Sequence, residues 1–486
     1  MKNKRLIAAA YLYLLLPVFL FLFGWLRLYY AMPLALLLAY GLYGALRTAD
    51  PYQLLEKAGR KKLLLVFSAV LFWVALSGLG GLAWQNRWDH MFRNALFQDL
   101  VAYAWPVKNM EWAQPRTLTY YIGFWLPGAV VGKLFGLQAG YLFQFIYGAA
   151  GVLLALFLLF ERLGKVSFAA TLFFFFFSGL DIIPYLQNAV LRGDTLATVL
   201  RNLALGRHME LSIHTFNSSS NSTLLFWLYN QIIPFWVGFL LLWRLKKNSA
   251  LLFTFSLLLL FAPFPALAMV PVLIVRGFSI AGWKPERWGK SLGNVFRSLG
   301  TVGNGAGLLL IGVLGFYYLS NRAVNSTRLL PFSLENIGDF FLYLSIEFLV
   351  FFPFIWKRAK GDVYFWVLFF TMVLGSFVQL GNDYDFAWRT CIPFAFYLML
   401  LLMKQIQEMD KRSLKGKLLI LVLLMGAITP TMEMLRSGEQ TARVFMGRSR
   451  EKLLSGGLKS VFHENDCYDN FVGDGETFFF RFLGKE

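Results

Sequence analysis

Long apolar runs alternate with short polar joints along nearly the whole chain. Blocks such as Leu64–Val74 and Ala169–Phe177 extend into stretches of helix-spanning length, and a membrane-crossing helix needs about 20 apolar residues. By that rule the pattern predicts spans near 6–27, 29–46, 63–84, 140–160, 166–184, 222–243, 249–262, 264–277, 303–320, 338–356, 363–381, 390–406 and 417–433, about thirteen in all. The pair around Pro263 and Pro265 is short and reads either as two spans or as one kinked span. The fold class expected is an all-α, polytopic integral membrane bundle. No period of 20–50 residues and no Gly/Ser- or Pro-rich linker divides it, so one membrane domain over 1–435 is expected, with a short tail over 436–486.

The joints give the orientation. Lys2, Lys4 and Arg5 precede the first run, which reads as a retained span and not as a cleaved signal. Arg60–Lys62, Arg162 with Lys165, Arg244 with Lys246 and Lys247, Lys284–Lys290, Lys357–Lys360 and Lys404–Lys417 follow in other joints. Basic residues in short loops mark the cytoplasmic side. One assignment puts all of these there, provided the Pro263 pair counts as two spans and Thr119–Gly136 does not cross. The latter is therefore expected to be a surface or re-entrant helix, broken at Pro127-Gly128. The outside then holds 85–138, 185–221, 321–337, 382–389 and the tail, and with them all four histidines, His90, His208, His214 and His463.

Composition supports this reading. The chain of 486 residues is 58% hydrophobic, 18% aromatic with 51 Phe, and only 15% charged, against about 25% charged in a soluble domain. The net charge of +19 does not point to nucleic acid, because the cations alternate with spans instead of forming one face. Cys391 and Cys467 have no metal spacing. P-loop, H-E-x-x-H, G-x-S-x-G and Rossmann signatures are absent from usable contexts.

Candidate chemistry lies in the outer pieces. From Trp88 to Leu100, apolar residues share one helical face, with Asp89, His90, Arg93 and Asn94 away from it. This predicts an amphipathic helix lying in the interface, with Asp89 and His90 at the membrane boundary. A plainer reading has Asp89 capping the helix and pairing with Arg93. Trp105, Trp112, Tyr120, Tyr121 and Trp125 follow, as an interfacial belt or as sugar-stacking rings. Asp181 ends the fifth span at its outer mouth, where a carboxylate usually faces a cavity. The next loop carries Asp194, Arg207, His208, Glu210 and His214, whose spacing is not that of a metal site. Asp383 and Arg389 flank a short outer loop; Arg389 either holds a lipid phosphate as a planar fork or snorkels. Glu347, mid-span, is a functional candidate or a pairing partner within the bundle.

The order of features resembles the GT-C-type glycosyltransferases: a large first outer loop with an acidic residue on a helix, many spans, and later outer loops. It is also similar to poorly characterised bacterial multispan proteins in Trp88-Asp89-His90 with Asp99-Leu100, Trp105-Pro106 and Tyr120-Tyr121; in Phe176–Asp181; in Asn217–Ser219 with Asn230–Pro234; and in the tail around Asn470–Val472 and Phe478–Arg481. The resemblance implies a polyprenyl-phosphate sugar donor and a lipid or glycan acceptor on the outer face. Asp89 would be catalytic base or would position acceptor or metal, with His90 and Asp181 in catalytic support. Arg93, Tyr120, Tyr121, His214, Asp383 and Arg389 would bind substrate. A divalent ion, Mg or Mn, is left open as cofactor. Many members carry two acidic residues side by side where this chain has Asp89-His90. The expected localisation is a bacterial inner membrane, with membrane lipids around the chain and no nucleic acid as partner. A transporter or flippase of a lipid-linked saccharide is the alternative, ahead of a polymerase or ligase and a non-catalytic assembly subunit.

Overall fold

A computed structural model describes the chain except residues 1–3, 53, 55–57, 87–88, 110–115, 207, 211–212, 214, 322–327, 331–332, 381–383, 463–468 and 486. Twenty α-helices dominate it: α1 (Arg5–Trp25), α2 (Leu28–Thr48), α3 (Arg60–Leu76), α4 (Asp89–Ala102), α5 (Leu126–Phe135), α6 (Leu137–Leu163), α7 (Phe168–Phe176), α8 (Ile182–Leu191), α9 (Leu196–Ala204), α10 (Asn221–Arg244), α11 (Leu251–Leu259), α12 (Pro263–Ile280), α13 (Trp288–Leu299), α14 (Val302–Leu319), α15 (Leu334–Glu347), α16 (Phe352–Ala359), α17 (Val363–Gly375), α18 (Asp385–Glu408), α19 (Leu414–Gly426) and α20 (Ile428–Phe445). The strands are short: β1 (Lys108–Asn109), β2 (Arg116–Leu118), β3 (Arg328–Leu329), β4 (Val378–Gln379) and β5 (Val472–Asp474).

Among the described residues nine helical stretches are long and apolar enough to cross a membrane: α1, α2, α6, α10, α12, α14, α15–α16, α18 and α19–α20. That is fewer than the thirteen expected, because several apolar runs are broken. The expected span 166–184 stops at Phe177, where the backbone turns extended. Leu180 N–H donates instead to Ile346 O at 3.1 Å, beside the break between α15 and α16. The run 249–277 divides at Ala262, before Pro263 opens α12. Thr119–Gly136 holds no helix long enough to cross. Its helix α5 has ten residues, about 15 Å, and Pro127 opens it instead of breaking it, the place where a missing N–H costs least.

The centre of the bundle is α10, held by α1, α6, α7, α11 and α20. Small residues allow close approach, as in membrane helix pairs generally: a Cβ on Gly41 of α2 would lie 3.1 Å from Gly303 Cα of α14. The tail does not stand apart. Helix α20 runs through the expected boundary at 435, and β5 joins β2 and β1 in an antiparallel sheet with Thr117 opposite Gly473. Phe479 then packs against Phe21 and Tyr317.

Several basic joints meet at one end. Lys4 donates to Leu46 O, Arg244 pairs with Glu161, Lys246 with Asp50, and Arg276 donates to Trp243 O. Asp89, Tyr120, Tyr121 and Arg389 gather in a separate polar site, away from these joints.

Candidate functional site

Asn86, not Asp89, caps α4: its Oδ1 accepts from Asp89 N at 3.1 Å. That leaves the Asp89 carboxylate to face Arg93, at 3.7 Å one turn on. The helix is not the interfacial element expected. His90, Arg93 and Asn94, predicted to face away from the core, are buried, and so is Asp99. The tail supplies the missing cover: Asn94 Nδ2 donates to Ser455 O at 2.8 Å, and Asp99 accepts from Val461 N at 2.9 Å. Burial pushes the Asp99 carboxyl up to about 6, against these bonds.

The Asp89 side chain keeps 36% of its surface exposed although its surroundings are strongly desolvating, which describes the floor of a recess. Burial raises its pKa. Arg93 opposes the rise, Asp385 adds to it, and Arg389 and His208 oppose it. The recess therefore brings together the start of α4 and the start of α18. Arg389 is buried, bonded to Asp385 Oδ1 at 2.7 Å and Asp385 O at 3.0 Å, and its Nε has no hydrogen-bond partner. Arg93 stacks on the Tyr229 ring at 5.5 Å and leaves Nη1 equally unpartnered. Tyr120 and Tyr121 are joined hydroxyl to hydroxyl. Burial raises both phenols, Tyr121 to about 12, so they remain protonated donors.

His90 lies beside this recess, not in it. Its Nε2 is 2.8 Å from Phe226 O, an acceptor near the kink of α10 at Leu228. Burial, then the Arg93 charge, holds its pKa down at about 3. A neutral, enclosed imidazole tied to a carbonyl anchors α4 to α10. A proton-shuttling role would need it freed from that bond.

Asp181 belongs to a second cluster. Ser178 Oγ donates to it at 3.2 Å, and it shares a hydrogen bond with Glu347. A Cβ on Gly179 would lie 2.2 Å from Glu347 Oε2, so the site requires glycine. A cavity of about 20 Å³, room for one water, borders Glu347, Ser178, Ser218 and Asn221. Glu210 Oε1 accepts from Ser220 N at 2.9 Å while Oε2 is buried without a partner. Burial and the Asp181 charge push its pKa up to about 8. His208 links the two clusters. Its Nδ1 lies 2.6 Å from Glu433 Oε1, and Trp227 and Arg436 bond the other oxygen. Burial would lower the imidazole, but the Glu433 bond and charge outweigh it and the net shift is upward.

Of the expected site residues, Asp89, Arg93, Tyr120, Tyr121 and Arg389 come together, His90 supports them, and Asp181 lies in the neighbouring cluster. His214 and Asp383 lie outside the described residues. Asp385, Tyr229 and Glu433 join these clusters without a place among the expected site residues. Glu433 had a legible signal, a carboxylate inside an apolar run. No group of three or more His, Cys, Asp and Glu side chains among the described residues is placed to hold a metal ion. The recess offers a carboxylate of raised basicity, two phenol donors and two guanidinium groups, a set suited to activating a hydroxyl and holding an anion. No family model, no curated protein and no solved structure matches the chain.

Proposed function

We propose that the chain is an integral membrane glycosyltransferase of GT-C type. It would move a hexosyl or pentosyl group from a polyprenyl-phosphate donor to a cell-envelope glycan or lipid. The observation that carries this reading is that Asp89 and Arg389, from distant parts of the chain, lie near enough for each charge to act on the other, while Arg93 pairs with Asp89 and Asp385 pairs with Arg389. Asp89 takes the proton of the acceptor hydroxyl as that oxygen attacks the anomeric carbon. Arg389, with Arg93, stabilises the charge on the departing polyprenyl phosphate. Tyr120 and Tyr121 donate to sugar or phosphate oxygens. If a divalent ion serves the reaction, Asp89 and Asp385 are the carboxylates of the recess available to it. The Lys/Arg-rich end is assigned to the cytoplasm of a bacterial inner membrane and the recess to the outer face, on the loop-charge rule. Transfer of radiolabelled sugar in reconstituted vesicles tests this. Wild type should form product, and Asp89→Asn should lose about a hundredfold or more. A properly folded Asp89→Asn protein with undiminished transfer would reject the role.

The second reading is a flippase or transporter of a lipid-linked saccharide. It is favoured by the Asp181–Glu347 pair between the broken ends of α7 and α15, a place where transporters keep coupling sites. Movement of labelled lipid across the bilayer without product, lost in Glu347→Gln, would select it.

A further inference from the structure

The basic end of the bundle contains an open cavity of about 550 Å³ lined by Arg162, Arg276, Arg358, Asp362, Tyr364 and Tyr397. A second, of about 300 Å³, shares Arg162, Arg358, Asp362 and Tyr397 and adds Lys404. Four cations thus face one carboxylate. That carboxylate is already engaged: Asp362 Oδ1 accepts from Tyr364 N and Phe365 N at the start of α17, and Oδ2 accepts from Tyr397 at 2.5 Å. Arg358 is partly neutralised by Glu408. Among the described residues no carboxylate lies within ion-pair distance of Arg162, Arg276 or Lys404.

Arg276 is held in place before any ligand arrives. Its guanidinium stacks between Trp243, at 5.2 Å, and Tyr364, at 5.8 Å. One Nη donates to Trp243 O at 2.9 Å and Leu245 O at 2.7 Å, and Nε is buried without a partner. Burying an unpaired guanidinium N–H is unfavourable, and clustering like charges adds to the cost. An anion with several oxygens relieves both. A planar fork matches phosphate geometry best, and the cavity volume is that of a small-ligand site.

We propose that this cavity binds a phosphoryl anion, with Arg162 and Arg276 as its principal contacts and Lys404 as a supporting charge. Two sources share that chemistry: the headgroup of an anionic phospholipid in the adjoining leaflet, and a soluble diphosphate. The proposal stands apart from the transferase reading, and its test reads binding, not sugar transfer.

The full chain, purified in neutral detergent, is presented with phosphatidylglycerol or phosphatidylcholine, and retained lipid is read by native mass spectrometry. Inorganic pyrophosphate serves as competitor. Each cation near an anionic headgroup contributes about fivefold in affinity, so Arg162→Gln/Arg276→Gln should lose about 25-fold for phosphatidylglycerol. Lys360→Gln, an exposed cation at the same end outside the cavity, should lose little. Preferential phosphatidylglycerol retention that the double variant abolishes supports a lipid source. Pyrophosphate binding that the double variant abolishes, without lipid preference, supports a soluble source. If the double variant does not fold, displacement of phosphatidylglycerol by pyrophosphate from wild type, and an approximately fivefold loss in Lys404→Gln, decide the same question. Binding of neither probe by wild type, or equal losses in Lys360→Gln and the cavity variants, overturns the proposal.

Discussion

Replacing Glu433 by Gln removes the one anion that holds two cations at the junction of the clusters. Its carboxylate is 1% exposed and pairs with His208 at 2.6 Å and with Arg436. Breaking a buried ion pair from one side costs about 3–5 kcal/mol. His208 and Arg436 keep 18% and 17% exposure, so the lower limit, about 3 kcal/mol, applies. The loss depends on pH, and its sign follows from His208. In the wild type its folded pKa lies above the unfolded value of 6.5, raised by Glu433. That pairing stabilises the fold fully below pH 6.5 and fades as pH rises through the folded value. In Glu433→Gln the imidazole is left with burial and Arg436, which favour its neutral form, and with Glu210, which favours the charged one; Glu210, pushed up to about 8, is mostly protonated at pH 5.5, so acid destabilises the variant. The destabilisation should be about 3 kcal/mol at pH 5.5. It should shrink towards about 1.5 kcal/mol at pH 8.5, the worth of the remaining charged hydrogen bond. Thermal unfolding in detergent, followed by intrinsic fluorescence at both pH values, reads the difference. A deficit that is equal at the two pH values, or larger at pH 8.5, would refute the reasoning.

Other consequences can be checked separately. If the chain transfers sugar as proposed, the raised Asp89 pKa should place the acid limb of that activity above the usual aspartate range; Arg389→Gln should move it higher and Asp385→Asn lower, because those charges respectively lower and raise it, as read from kcat/KM against pH. Gly179→Ala drives a methyl to 2.2 Å from Glu347 Oε2 and should cost about 1–3 kcal/mol by thermal unfolding, more than Gly305→Ala, which meets nothing within 4 Å. Asp99→Ala removes the acceptor for Ser460 and Val461; limited proteolysis should then cut near 453–461 several times faster, with α4 exposed.

The sequence pattern carried much of the architecture. Apolar length alone located α1, α2, α6, α10, α12, α14 and α18. Loop charge grouped some joints that the fold brings to one end, those of Lys4, Arg244 and Lys246 and those of Arg162, Arg358 and Lys404. Broken helices were harder to see. No proline marks the end of the apolar run before Ser178, yet the backbone turns extended at Phe177 and Leu180 bonds to the distant Ile346, so the helix has ended. The burial of α4 leaves no local trace for a similar reason. Its polar face matches a solvated face in spacing, and the cover comes from Ser455 to Val461, far along the chain, with no local signal. Asp89 and Arg389 were legible as unusual residues in short polar segments. Their convergence depends on the packing of the whole bundle, and no period or spacing encodes it.

The account rests on Asp89 and Arg389 working as one site. The measurement that tests it most directly is a double-mutant cycle in the sugar-transfer assay, with wild type, Asp89→Asn, Arg389→Gln and the pair, each checked for folding. Residues that act as a unit lose far less together than the sum of their separate losses. The account predicts a pair no more than about tenfold worse than the worse single variant. Transfer losses that multiply independently, or a wild type that transfers no sugar, would contradict it.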